Sequence, residues 1–152
     1  MGYTHYWKKS KNKIDDNTWK EFLSMTRRMT KLIQGKTTTS AGGYYPDDTV
    51  KICGPMGNKK LLANKDYLAF NGNEDQGLDH ESFVIMRSKA SDFEFCKTAR
   101  KPYDVLCVAV LIMANEMDII DEWRSDGDDE DHTEGKELYA LAVRDRKLST
   151  VS

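Results

Sequence analysis

Phe93-Glu94-Phe95-Cys96-Lys97-Thr98-Ala99-Arg100-Lys101-Pro102-Tyr103-Asp104 is the stretch on which the reading of this chain turns. It reads as a strand that ends, a short basic loop, and the start of a helix. Lys97, Arg100 and Lys101 fall in the loop. Pro102 suits a first helical position, because its fixed φ matches a helix and its missing N–H is not needed there. The unsatisfied N–H groups of a helix start, with three cations beside them, predict a place for an anion.

Working outward, Glu81 to Arg87 and Asp92 to Lys97 read as two strands. Phe83 and Ile85 share one face of the first, and Phe93 and Phe95 share one face of the second. The link Ser88-Lys89-Ala90-Ser91 is short enough for a hairpin. On the other side, Pro102 to Met117 reads as a helix whose middle, Val105 to Ala114, is apolar all round and therefore buried.

Further out, residues 3–7 are aromatic and β-prone and predict a strand. Asn17 to Gln34 predicts an amphipathic helix: Trp19, Phe22, Thr26, Met29 and Ile33 recur at three- and four-residue steps. Asp15, Asp16 or Thr18 can cap it, Thr18 and Glu21 having capping-box spacing, and Gly35 suits the position just past its end. Lys36 to Asp48 is a loop of small and polar residues. Thr49 to Cys53 and Asp66 to Phe70 predict strands, with Lys59 to Lys65 ambiguous between them. Ile119 to Trp123 is a further strand candidate. A last helix runs to about Lys147, and residues 148–152 read as a loose tail. Neighbouring strands with short turns, and helices before and after them, predict α+β: a mostly antiparallel sheet against two or three helices, in a single domain over residues 1–152.

Composition excludes several functions. The chain has 152 residues, 39% hydrophobic and 32% charged, with a net charge of −2. A broad polyanion-binding surface needs a basic balance, so general nucleic-acid binding is not expected. No apolar run approaches the ~18 residues of a membrane span, and Met1 to Trp7 lacks the apolar core of a secretion signal. Cys53, Cys96 and Cys107 are odd in number and widely spaced, which fits buried thiols in a reducing compartment and no zinc knuckle.

The basic loop is the leading candidate site. Arg100 can grip a phosphate or carboxylate with two N–H groups, Lys97 and Lys101 supply point charges, and the Thr98 hydroxyl adds a donor. The bland alternative is a solvated turn whose cations pair with Asp92, Glu94 or Asp104. His5 and His80 stand in or beside predicted strands. If both came near the loop, two histidines and a cationic clamp would suit binding or cleavage of a phosphate ester. Tyr44 and Tyr45 lie in the Gly-rich loop, where a lid would cover a base. The other aromatics, Tyr3, Tyr6, Trp7 and Trp123, read as core. In the acidic run 126–131 the EF-hand positions for Gly and Glu hold Asp131 and Glu137, so it reads as a solvated face and not a calcium loop. Ser125 and Asp126 can still reach a ligand's hydroxyls. No metal or cofactor is expected.

Gly2-Tyr3-Thr4-His5-Tyr6-Trp7, Phe70-Asn71-Gly72 before His80-Glu81-Ser82-Phe83, Phe95 to Asp104, and Ser125-Asp126-Gly127 together resemble a family of small, largely uncharacterised bacteriophage and bacterial proteins. The resemblance spans most of the chain and implies a setting, a phage protein in bacterial cytoplasm, where compact proteins of this size often counter host defence. Three functions follow as expectations. The first is binding of a phosphorylated small molecule, a nucleotide or nucleotide signal, at the Lys97–Asp104 helix start. The second is hydrolysis of a phosphodiester or N-glycosidic bond with His5 or His80 as acid or base. The third is inhibition of a host protein, with the acidic loop as decoy. Whether the chain forms a homo-oligomer is open at this point.

Overall fold

A computed structural model describes residues 3–38, 49–89 and 91–151. In chain order the elements are β1 (Thr4–Lys8), α1 (Asp16–Ile33), β2 (Leu62–Ala63), β3 (Tyr67–Phe70), a 3-10 turn (Glu74–Gln76), β4 (Phe83–Met86), β5 (Phe93–Lys97), α2 (Asp104–Glu116), β6 (Glu122–Ser125) and α3 (Thr133–Val151). The fold is α+β, with antiparallel strands, as the order of the predicted elements requires.

The strands form two three-stranded sheets, ordered β5-β1-β6 and β2-β3-β4. The predicted hairpin therefore does not form. Although β4 and β5 are consecutive, β4 pairs with β3, setting Phe83 opposite Phe70, and β5 pairs with β1, setting Cys96 opposite His5. The segment just before β4 meets the end of β5. The Glu81 N–H donates to the Lys97 carbonyl at 3.2 Å, and the Lys97 N–H donates to Glu81 Oε1 at 2.7 Å. The sheets share one core across Trp7 and Phe83, whose rings are 5.1 Å apart.

Phe93 and Phe95 do share a face, but it is the outer one, 46% and 56% exposed. Cys96 takes the inward position and is buried. Thr49 to Cys53 makes only isolated bridges, Thr37 to Thr49 and Cys53 to Asn71, and is not a continuous strand. The strand expected at Ile119 starts later, at Glu122, with Ile119 and Ile120 buried in the turn before it.

The helices follow the apolar pattern closely. α1 buries Trp19, Phe22, Leu23, Met25, Thr26 and Met29 on one side. Its cap is Asp15, whose carboxylate accepts from the Thr18 N–H at 3.0 Å, so Thr18 is a receiver of capping and not its source. Gly35 follows the helix end with φ 76°. α2 is buried from Val105 to Ala114 apart from Ile112, as an all-apolar helix must be. α3 packs on α2 through Gly135, where a Cβ would lie 2.5 Å from Val108 Cγ1. It extends to Val151, past the predicted end near Lys147, so the supposed tail is largely helix. No described helix is long and apolar enough to cross a membrane.

Candidate functional site

β1 alternates, so Tyr3 just before it, His5 and Trp7 all turn inward and are buried. His5 meets the first turn of α2. Its Nε2 lies 2.5 Å from Asp104 Oδ1, and the Thr98 hydroxyl donates to the same oxygen at 2.6 Å. His5, Thr98 and Asp104 are at most 1% exposed. A carboxylate taken out of water needs charged and hydrogen-bonding partners. Asp104 has a histidine, a hydroxyl and the positive end of α2.

This alters the reading of the helix start. Pro102 and Tyr103 form a turn ahead of α2 rather than its first residues. The N–H groups of Asp104, Val105 and Leu106 donate back to the carbonyls of Lys101, Pro102 and Tyr103. Those of Thr98 and Ala99 both reach the Tyr3 carbonyl, at 3.1 and 3.2 Å. The anion nearest this helix start is the protein's own Asp104, and these amides are already engaged.

The loop is bent to fit. Ala99 and Arg100 are consecutive non-glycine residues in the left-handed region, with φ 52° and 61°. That conformation costs an L-residue roughly 1–2 kcal/mol, and such strain tends to gather at functional sites. Its effect here is to fold Arg100 back over Tyr3, with the guanidinium carbon 4.3 Å from the ring centroid. Arg100 Nη1 also lies 3.4 Å from Asp131 Oδ1, a long ion pair in which the partners are 26% and 16% exposed.

A second histidine completes the cluster, and it is His132. It precedes α3, is 7% exposed, and packs with its ring centroid 6.0 Å from that of His5 and 5.1 Å from that of Trp123. Tyr3 meets His5 edge-on at 5.2 Å. Burial, reinforced by the neighbouring His5, pushes the His132 pKa below the ordinary histidine value. Burial, with Asp104 nearby, raises Tyr3 well above the ordinary phenol value, so it keeps its proton.

Three buried side-chain atoms lack a hydrogen-bond partner among the described residues: Tyr3 Oη, His5 Nδ1 and His132 Nε2. All three belong to this cluster. The Ser125 hydroxyl is near enough to Tyr3 Oη to influence its proton affinity, but it is not in hydrogen-bond geometry with it. Buried polar atoms are nearly always satisfied, by protein or by ordered water, so three such atoms in one place set this cluster apart. Gly127 closes the wall beside them: a Cβ there would collide with Tyr3 Oη and lie 2.8 Å from Tyr3 Cζ.

The other candidate residues are placed as follows. Lys97 is half-buried at the end of β5. The Lys101 ammonium donates to the Gly77 carbonyl at 2.9 Å. Ser125 lies opposite His5 in the β1–β6 ladder, and its Oγ accepts from the Gly127 N–H at 3.0 Å. Asp126 ties β1 to β6: its Oδ2 accepts from the Thr4 N–H at 3.0 Å and its Oδ1 from the Tyr6 hydroxyl at 3.2 Å. His80 is exposed, before β4, and its backbone is held by the Asn71 side chain. The structure thus sets His132, and not His80, beside His5. Tyr44 and Tyr45 lie outside the described residues. Among the described residues no group of three or more His, Cys, Asp and Glu is arranged to hold a metal ion.

Cys53, Cys96 and Cys107 are free and buried. Burial, with Glu81 nearby, pushes Cys96 up to about 12. That suits a packed thiol and not a nucleophile. No family model matches the chain, and comparisons with curated proteins and with solved structures likewise gave no match.

Proposed function

We propose that the cluster of Tyr3, His5, Arg100 and His132 binds a phosphorylated small molecule, a nucleotide by class. The observation that carries this reading is the convergence of three unpartnered buried polar atoms beside an arginine. Tyr3 Oη, His5 Nδ1 and His132 Nε2 offer hydrogen bonds to a polar ligand. Arg100 brings a guanidinium, the side-chain group whose planar donors best match a phosphate. Asp131 occupies part of the guanidinium at 3.4 Å, so an incoming phosphate takes its place and separates Arg100 from the α3 side of the site. In the phage setting implied by the sequence resemblance, such a binder would withdraw a nucleotide signal of host defence.

Native mass spectrometry of the protein purified from bacteria, followed by a thermal-shift panel of mono-, di- and cyclic nucleotides, tests this. The expected result is a retained phosphorylated ligand, or a Tm increase with one nucleotide class that Arg100→Ala abolishes. A panel in which no nucleotide shifts the Tm overturns the reading and leaves the three atoms to buried water.

A further inference from the structure

We infer that the outer face of the β5-β1-β6 sheet is a stacking platform for a short single strand of nucleic acid. This face lies on the other side of β1 from His5, and the inference does not rest on the binding reading above.

Side chains alternate along a strand, so with His5 and Trp7 turned inward, Thr4, Tyr6 and Lys8 take the outer face. Register sets Phe95 opposite Tyr6 on one side and Arg124 opposite it on the other. Lys97 stands beside Thr4, and Phe93 beside Lys8. Three aromatic rings therefore share this face. Phe93 stacks with Tyr6, the centroids 6.0 Å apart and the planes at 28°. Phe95 continues the row, 6.2 Å from Phe93 at 36°. The Tyr6 ring is tethered through its hydroxyl to Asp126. Of the described large hydrophobic residues that stand exposed, only Phe93 and Phe95 are aromatic. Two such rings left in water on an edge strand favour association and mark a surface that something covers.

Charge selects the partner. The acids on this face are engaged: Glu122 pairs with Lys8 at 3.5 Å, and Asp126 accepts from the Thr4 N–H and the Tyr6 hydroxyl. Lys97 and Arg124 have no ion-pair partner among the described residues. Two uncommitted cations thus flank three rings. Every base has a π-face to lay on an aromatic ring, and the phosphates between bases meet Lys and Arg. The bases must be unstacked to do so, which selects a single strand over a duplex. A protein strand fits less well. The Glu81 segment caps the β5 edge at Lys97, so an added strand finds no full-length edge to pair with.

The net charge of −2 sets the scale of binding. Stacking supplies most of the affinity, and a platform of this size takes about two or three bases. Two phosphate contacts give log K a slope of roughly −1.4 against log salt for a single strand. The platform is thus local and is consistent with an acidic chain that lacks a broad polyanion surface.

The test is fluorescence anisotropy with end-labelled oligo(dT), oligo(dA) and oligo(rU) of about eight nucleotides, and a hairpin duplex as control. Wild type is expected to bind the single strands and to bind the duplex about tenfold more weakly or less. Phe95→Ala should weaken single-strand binding roughly tenfold, the usual loss for one stacked base. Phe95→Trp should keep or tighten it. Phe95→Leu, apolar but without a π-face, should lose as much as the Ala variant. Arg124→Ala should weaken binding to all sequences alike and reduce the salt slope by about 0.7. Phe95 and Arg124 are exposed, so these variants should keep the wild-type Tm. Single strands that give no anisotropy change overturn the inference, and so does a Phe95→Leu variant that binds like wild type. A concentration-dependent dimer in sedimentation, abolished by Phe95→Leu and indifferent to oligonucleotide, also overturns it and gives the face to a second copy of the chain. None of these failures touches the Arg100 reading, which is tested with free nucleotides on the other side of β1.

Discussion

His5 Nε2 and Asp104 Oδ1 lie 2.5 Å apart in the interior and join the first strand to the first turn of the buried helix α2. The pair links residues 99 positions apart in sequence, so it is made only when β1 has docked on α2. Breaking such a pair leaves a buried group without its counter-charge, which costs about 3–5 kcal/mol. Asp104→Ala is expected to lose that much stability in urea unfolding. A loss under 1 kcal/mol would mean that the pair is not buried as described.

The strained loop predicts a gain. Ala99 holds φ 52°, a conformation that glycine adopts without penalty. Ala99→Gly should raise stability by roughly 1 kcal/mol, a Tm increase of about 2–4 °C for a chain of this size. An unchanged or lower Tm would show that Ala99 is not strained.

Gly127 predicts a coupled loss. A methyl group there meets the Tyr3 ring, with Cε2 and Cζ each 2.8 Å from the added carbon. Gly127→Ala should cost about 1–3 kcal/mol, the usual range for forced overpacking. The cost should shrink in a Tyr3→Ala background. A double-mutant cycle with zero coupling would contradict the contact.

His132 predicts a pH dependence. Its pKa is depressed in the folded chain, chiefly by burial, while the unfolded chain returns it to about 6.5. Between the two values the unfolded state binds more protons, so stability rises with pH there. The contribution is fully present above about pH 6.5 and is lost as the pH falls through the folded value. His132→Gln should flatten this part of the curve. Identical acid slopes for the two proteins would show that His132 is not buried neutral.

Asp131 predicts a change in affinity. Its carboxylate competes with a ligand's phosphate for Arg100 across 3.4 Å. Asp131→Asn should therefore tighten binding of a phosphorylated ligand severalfold and make binding more dependent on salt concentration, because the attraction to Arg100 is then unopposed. Weaker binding in calorimetry would mean that Asp131 orients Arg100 and does not compete for it.

Much of the fold was legible because its signals are local. Trp19, Phe22 and Met29 mark one face of α1, and the apolar run from Val105 marks α2 as buried. Strand pairing was not legible. The short link between β4 and β5 suggested a hairpin, yet Phe83 pairs across to Phe70 and Cys96 to His5, choices made by distant partners. Alternation in β5 showed that Phe93 and Phe95 share a face but carries no sign to say which face is inward. The core next to Tyr103 and α2 takes Cys96 instead. Half of the site was visible in the same way. Arg100 and His5 stood out by residue type, whereas His132 directly follows an acidic run that reads as solvated surface. Its burial comes from α3 closing on α2 at Gly135 and from Trp123 beside it, and neither leaves a mark near residue 132.

The chain contains three histidines, which makes one spectroscopic measurement decisive. Protein labelled with nitrogen-15 in its imidazoles is titrated with the nucleotide that gives the largest thermal shift. If the ligand sits in the cluster, the His5 and His132 resonances move together and saturate at one equivalent, while that of exposed His80 stays in place. Movement of His80 alone, or a bound nucleotide that leaves His5 and His132 unchanged, would contradict the site.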